Sequence, residues 1–249
     1  MRLDRFLSEA GAGTRSEVKQ FIRKGLVSVN GSIIKEAGSQ VAEEEDVVCL
    51  KGQPLSFSKY HYYMLHKPAG VVTATMDSRQ KTVMDLVSDI PVKGLFPVGR
   101  LDKDTEGLLL LTDDGVLAHE LLSPKKHVDK TYLAEIREPL SLEAVSALRQ
   151  GVDIGEKKKT EPAKVELLEE KRILLTIQEG RYHQIKRMLK AVENEVLYLK
   201  RLSMGSLTLD ENLMKGEYRP LKESEIEALK KEYVHDAKRE SAEEKTAGI

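Results

Sequence analysis

One cysteine, Cys49, stands in a chain of 249 residues, which excludes an internal disulfide and a cysteine-rich metal site. Its surroundings, Asp46-Val47-Val48-Cys49-Leu50, read as a strand, so the thiol is expected to be a small buried hydrophobe and the compartment a reducing cytoplasm. Long apolar runs are missing too. The leucines of 108–111 fall far short of the roughly 18 residues a membrane helix needs, so no membrane association is expected. The opening Met1-Arg2-Leu3-Asp4 mixes charge with apolar side chains and no secretory core follows, so export is not expected. His61, His66, His119, His127 and His183 have no zinc-binding spacing, and no glycine-rich phosphate loop is present. Neither a metal nor a cofactor is therefore expected. An excess of one charge is also lacking: 40 basic and 41 acidic residues leave a net charge of −1. A nucleic-acid partner can be argued only from local clusters.

Such clusters exist. Residues 1–24 carry Arg2, Arg5, Arg15, Lys19, Arg23 and Lys24 against Asp4, Glu9 and Glu17. Residues 181–201 carry Arg181, Lys186, Arg187, Lys190, Lys200 and Arg201 against Glu193 and Glu195. Hydrophobic and charged fractions of 40% and 33% describe a globular protein with a charged surface, long enough for two modest domains.

Leu3, Phe6, Leu7 and Ala10 share one face of a short helix. Thr14 and Glu17 have capping-box spacing and open a second helix through Val18, Phe21 and Ile22, which Gly25 closes. Around Asn30-Gly31, the segments 27–29 and 32–34 spell a hairpin, and 46–50 adds a strand. Residues 51–59 read as a linker, giving domains at 1–58, linker included, and 59–234, with a polar tail at 235–249. In the second domain strands are expected at 62–66, 71–75, 108–112, 132–136, 172–178, 196–200 and 206–209. Helices are expected at 83–87, 116–122, 142–149, 182–192 and 223–233. The irregular alternation favours an α+β fold with a mixed, mostly antiparallel sheet, and no internal repeat is present.

On a helix, Arg15, Lys19, Arg23 and Lys24 come to one side, with Arg2 and Arg5 on the adjacent helix. This is either a phosphate-binding face or a solvated helix surface. The segments Arg2-Leu3-Asp4-Arg5-Phe6-Leu7, Arg15-Ser16 and Gly25-Leu26-Val27-Ser28-Val29-Asn30-Gly31 resemble the RNA-binding domain first recognised in ribosomal protein S4. That resemblance covers about residues 1–50 and implies an S4-like helical and hairpin domain. Arg2, Arg15, Lys19, Arg23 and Lys24 would then meet RNA phosphates, reading shape rather than base edges.

The stretch 99–115, Gly99-Arg100-Leu101-Asp102-Lys103-Asp104-Thr105-Glu106-Gly107 followed by Leu108 to Leu111, Thr112, Asp113, Asp114 and Gly115, runs a charge-dense loop into an apolar strand. By itself it could be a charged connector with a surface ion pair. It is similar to the signature of bacterial ribosomal RNA pseudouridine synthases, in the small-subunit (16S) branch. His66-Lys67-Pro68-Ala69-Gly70, Asp129-Lys130-Thr131-Tyr132 and Glu179-Gly180-Arg181-Tyr182-His183-Gln184-Ile185-Lys186-Arg187-Met188 match further blocks of that family. His66 stands where Asn is more usual.

The resemblance implies Asp102 as the catalytic carboxylate and Lys186 as the cation that favours its ionised form, with Arg187 the runner-up. The resemblance alone also implies that Tyr132 would stack on the uracil and take part in moving the C5 proton. Lys67, Arg100, Arg181 and Arg187 are expected to meet RNA, and His183 to be structural. The expected partner is ribosomal RNA or a pre-ribosomal particle, bound by a monomer. A non-catalytic RNA-binding or ribosome-assembly protein of the same architecture is the alternative reading. An aspartate facing RNA phosphates has no chemical use in a pure binder.

Overall fold

The computed structural model describes residues 1–43, 45–55, 60–90, 92 and 94–233. The expected polar tail and most of the second half of the expected linker lie outside them. Contacts divide the chain into two units, Met1–Lys59 and Tyr60–Ile249.

In the first unit, α1 (Leu3–Glu9) and α2 (Arg15–Arg23) pack over a sheet of β1 (Val27–Val29), β2 (Ser32–Ile33), β3 (Val48–Leu50) and β4 (Gln53–Pro54), ordered β2-β1-β3-β4. Leu3, Phe6, Leu7, Val18, Ile22, Val27, Val41 and Val48 form its core. The Thr14–Glu17 capping box is formed. Gly25, at φ 69°, ends α2 as a Schellman motif, its N–H on Ile22 O and that of Leu26 on Phe21 O. Asn30 and Gly31 both take positive φ, as a type I′ turn demands. The expected linker starts late: Lys51 and Gly52 turn the chain and β4 pairs with β3. Cys49 is half-buried and free.

The second unit is built on one sheet. Its elements are β5 (Tyr62–Lys67), β6 (Phe96–Pro97), β7 (Glu106–Thr112), α3 (Gly115–Leu122), β8 (Lys130–Ile136), α4 (Leu142–Gln150), β9 (Lys164–Glu169), β10 (Arg172–Ile177), α5 (Gln184–Ala191), β11 (Val196–Met204), β12 (Leu207–Thr208), β13 (Tyr218–Pro220) and α6 (Glu223–Tyr233). Strand order is β13-β5-β7-β11-β8-β10-β9, with β6 on β7 and β12 on β11. Among the strands of the described residues, only β7 and β11 run parallel. The leucine run makes β7 central because both its faces are covered. Leu108 and Leu110 pack with Leu117 and Leu121, and Leu109 and Leu111 pack with Leu65, Val71, Val83 and Val87. A further core joins Tyr132, Ala134 and Ile136 to Ile185, Met188, Leu189 and Leu101.

Several local expectations are corrected. Residues 71–75 form no strand, only a bridge from Val72 to Thr82, because that segment leaves the sheet to support the loop after Val98. The helix expected at 83–87 is one 3-10 turn, Met84–Leu86. Strands β6, β9 and β13 are short or edge-placed and half-buried or exposed, so their apolar alternation is weak in the sequence. No helix among the described residues is long and apolar enough to cross a membrane.

Candidate active site

The loop joining β6 to β7 carries Asp102, and it is clamped before any ligand arrives. Thr73 grips Leu101 twice, its hydroxyl donating to the Leu101 carbonyl at 2.8 Å and accepting the Leu101 N–H at 3.2 Å. The Thr105 N–H closes on the Asp102 carbonyl at 3.1 Å. Below, Lys67 is wholly buried and its ammonium donates to the carbonyls of Pro68, Lys103 and Thr105 at 3.0, 3.2 and 2.8 Å. Burial pushes its pKa down to about 8, the carboxylates of Asp104 and Asp102 pulling the other way. This corrects the expectation that Lys67 meets RNA. It sits under the loop because the end of β5, where it stands, is interior to the sheet.

From the other side comes the start of α5. Lys186 Nζ lies 3.1 Å from Asp102 Oδ2 and 2.6 Å from Asp104 Oδ1. Burial opposes the Lys186 charge, but the hydrogen bonds to Asp104 and Asp102 outweigh it and hold its pKa above the ordinary lysine value. His183 is not within the helix as expected. It is the left-handed residue before α5, at φ 48°, and its Nε2 lies 3.5 Å from Asp102 Oδ1. Sequence reasoning assigned Asp104 no role and took His183 as structural. The density of charge in 99–106 was the available signal for Asp104, whereas the left-handed turn that aims His183 had none.

Asp102, Arg100, Tyr132, Arg181, Tyr182, His183 and Lys130 line one open cleft of ≈ 560 Å³. Tyr132 is buried on β8, opposite Arg201 and Leu175 on its two neighbours, so only a small part of its ring meets the cleft. Arg100 is exposed at the cleft. Arg181 and Arg187 do not offer free forks to phosphate. Arg181 donates to Glu179 and to the carbonyls of Lys158 and Lys159. Arg187 donates to Glu156 and to the carbonyls of Ile154 and Tyr182. Their donors are spent fixing the segment 154–159 beside the cleft, and Arg187 is not the partner of Asp102. Lys130 and Arg201 lie buried beneath it; burial, and then the Arg201 charge, push Lys130 down to about 8.

In the first unit Arg15, Lys19, Arg23 and Lys24 are all exposed along and just after α2, while Arg2 is paired with Asp4 through two hydrogen bonds. Among the described residues no cluster of three or more His, Cys, Asp or Glu side chains could hold a metal.

With a basic helical face in its first unit and a carboxylate held in an open cleft of its second, the chain has the parts expected of an RNA-directed enzyme. The description "RNA pseudouridylate synthase" matches residues 61–191, and "S4 domain" matches residues 1–48. The chain is 49% identical over 234 residues to the "Uncharacterized RNA pseudouridine synthase YtzG" of Bacillus subtilis (strain 168), covering 92% of this chain and 98% of that one. It is 43% identical to the "Ribosomal small subunit pseudouridine synthase A" of Haemophilus influenzae, covering 93% and 100%. A solved structure described as "Crystal structure of pseudouridylate synthase" shares 42% identity and a TM-score of 0.66, over 92% of this chain and 99% of that one. The chain belongs to the RNA pseudouridine synthase family, whose members are isomerases, and carries an N-terminal S4 domain.

Proposed function

We propose that this protein converts one uridine of small-subunit (16S) ribosomal RNA to pseudouridine, with Asp102 as its catalytic carboxylate. It acts in the cytoplasm, as a monomer, on ribosomal RNA or a pre-ribosomal particle. The name of the Haemophilus relative supports the substrate. The observation that carries the mechanism is the Asp102 carboxylate, held in the cleft with Lys186 3.1 Å away.

The reaction breaks the bond from N1 to the ribose C1′, turns the uracil and joins C5 to C1′. C5 gives up a proton and N1 gains one, so atoms balance and nothing is oxidised or reduced. Asp102 serves either by adding covalently or by standing beside a cationic sugar, and both require the ionised carboxylate. Lys186 supplies its counter-charge. Tyr132 meets the uracil with the part of its ring that lines the cleft and takes part in moving the C5 proton. The target base must leave its stack to reach Asp102, which the open cleft permits. Arg15, Lys19, Arg23 and Lys24 hold phosphates of the same RNA, with Arg2 beside them and Arg100 at the cleft.

Pseudouridine mapping of ribosomal RNA, with and without the protein, tests the substrate: one 16S position should lose its modification. An unchanged map would refute that substrate and favour a plain RNA binder. For the residue, Asp102→Asn should abolish isomerisation and leave RNA affinity equal or slightly tighter, since one repulsive carboxylate is gone. Turnover by the purified Asn protein, with deamidation excluded, would remove Asp102 from the mechanism.

A further inference from the structure

The most exposed aromatic ring beside the cleft belongs to none of the groups used above. Tyr182 is 72% exposed, more than any other Phe or Tyr among the described side chains. Its ring lies stacked on His183, with centroids 3.9 Å apart and planes 19° from parallel. His183 in turn reaches Asp102. One face of the tyrosine is thus covered by imidazole and the other is open, and both residues line the cleft that holds Asp102.

A solvent-facing tyrosine ordinarily samples several rotamers, and fixing it costs entropy. Here the backbone around it is fixed already. The Tyr182 carbonyl accepts from Arg187 Nη1 at 3.0 Å, and the Arg181 N–H donates to Gln184 Oε1 at 2.9 Å. Gln184, itself buried, donates to Glu179 at 2.7 Å. The turn is rigid, and the ring it presents is pre-ordered by His183.

We propose that the open face of Tyr182 is a stacking site for a nucleobase of the substrate RNA next to the target uridine. This rests on the functional reading above and deepens it. Flipping a uridine breaks the stacking of its neighbour, and an aromatic face can replace what is lost. Tyr182 is bonded to the residue that touches Asp102, so a base resting on it belongs to the strand whose uridine occupies the cleft. Stacking needs no hydrogen-bond pattern, so the site tolerates any base while setting how far the strand enters.

The test uses the full chain and a 16S ribosomal RNA fragment centred on the mapped uridine, with 2-aminopurine placed beside that uridine. Wild-type protein should quench the probe on binding. Tyr182→Ala should lose the quench and raise KM about tenfold, more than it lowers kcat. Tyr182→Phe should retain both, while Tyr182→Leu, apolar but without a π face, should behave as Ala does. An Ala or Leu variant that quenches and binds as wild type does would overturn the proposal, because a ring that only packs on His183 predicts that result. A wild-type protein that leaves the fragment unmodified would sink the functional reading itself, and with it this proposal. A modified fragment with an unaltered probe signal sinks the proposal alone.

Discussion

Replacing Lys67 by Met sets two opposing effects against each other beneath the loop that carries Asp102. Its ammonium has a pKa of about 8 in place of 10.5, chiefly through burial. At about 1.4 kcal/mol per factor of ten, keeping it charged at neutral pH costs roughly 3 kcal/mol. Met removes that cost. Against it, three carbonyls lose a donor. The Lys103 carbonyl still accepts from the Gly70 N–H at 2.8 Å, so those of Pro68 and Thr105 bear the loss, at about 1–3 kcal/mol each. The effects nearly cancel, and the Met protein should fold with a stability within roughly 2 kcal/mol of wild type. Turnover should fall far more. The loop loses its central anchor, and misplacing a catalytic group by about 1 Å costs on the order of 100-fold. Urea unfolding and single-turnover pseudouridine formation would be measured side by side. The pH dependence has a definite sign. Between about pH 8 and the unfolded value, the unfolded chain keeps a proton on Lys67 that the folded chain has released, so wild-type stability rises with pH relative to the Met protein. A Met protein with wild-type turnover would refute the anchoring. A stability difference unchanged between about pH 7.5 and about pH 10 would refute the buried charge.

The two basic regions should separate by salt. Lys19→Ala should weaken RNA binding and reduce its salt slope by roughly one with little change in saturated turnover, whereas Lys186→Ala should cut turnover and barely touch the slope, both read from titrations at several salt concentrations. Two glycines should respond oppositely to Ala. At Gly107, φ 106°, a Cβ would lie 2.2 Å from the Arg201 carbonyl oxygen across the β7–β11 pairing, so Gly107→Ala should cost more than about 4 kcal/mol in urea unfolding. At Gly115, inside the first turn of α3 with open space around it, Gly115→Ala should be neutral or stabilise by up to about 1 kcal/mol.

What was legible in the sequence was what short spacing encodes. Thr14 with Glu17, Gly25 and Asn30-Gly31 each act through neighbours a few residues away, and each forms the turn or cap its chemistry requires. The leucines of 108–111 marked an apolar strand for the same reason, and the structure covers both its faces. The site was legible only in part, because its contacts cross long stretches of chain. Lys186 reaches Asp104 over 82 residues, and Thr73 holds Leu101 over 28. Lys67 stands in a motif that named it but could not tell a buried anchor from a surface cation. Arg181 and Arg187 read as phosphate forks until the segment 154–159 is seen to occupy their donors.

The same geometry narrows how the proton of C5 can move. Lys186 touches Asp102, and a free amine there would be a candidate base. Its pKa is held above the ordinary lysine value by the hydrogen bonds to Asp104 and Asp102, so the charged form is the one that stands beside Asp102 at neutral pH. An amine that keeps its proton is poorly suited as a base, since proton transfer is most effective when the pKa lies near the working pH. On the proposed function Lys186 is therefore an electrostatic partner rather than the base. It is bound on two sides, by Asp102 and Asp104, which fixes its position without consuming the Asp102 carboxylate. On the proposed function, the groups left in the cleft to take the proton from C5 include Tyr132, His183, Asp102 and Lys130, whose pKa burial pushes down to about 8. His183 reaches Asp102 through its Nε2 and has Tyr182 stacked on its ring, so any proton it accepts stays within one contact of the carboxylate.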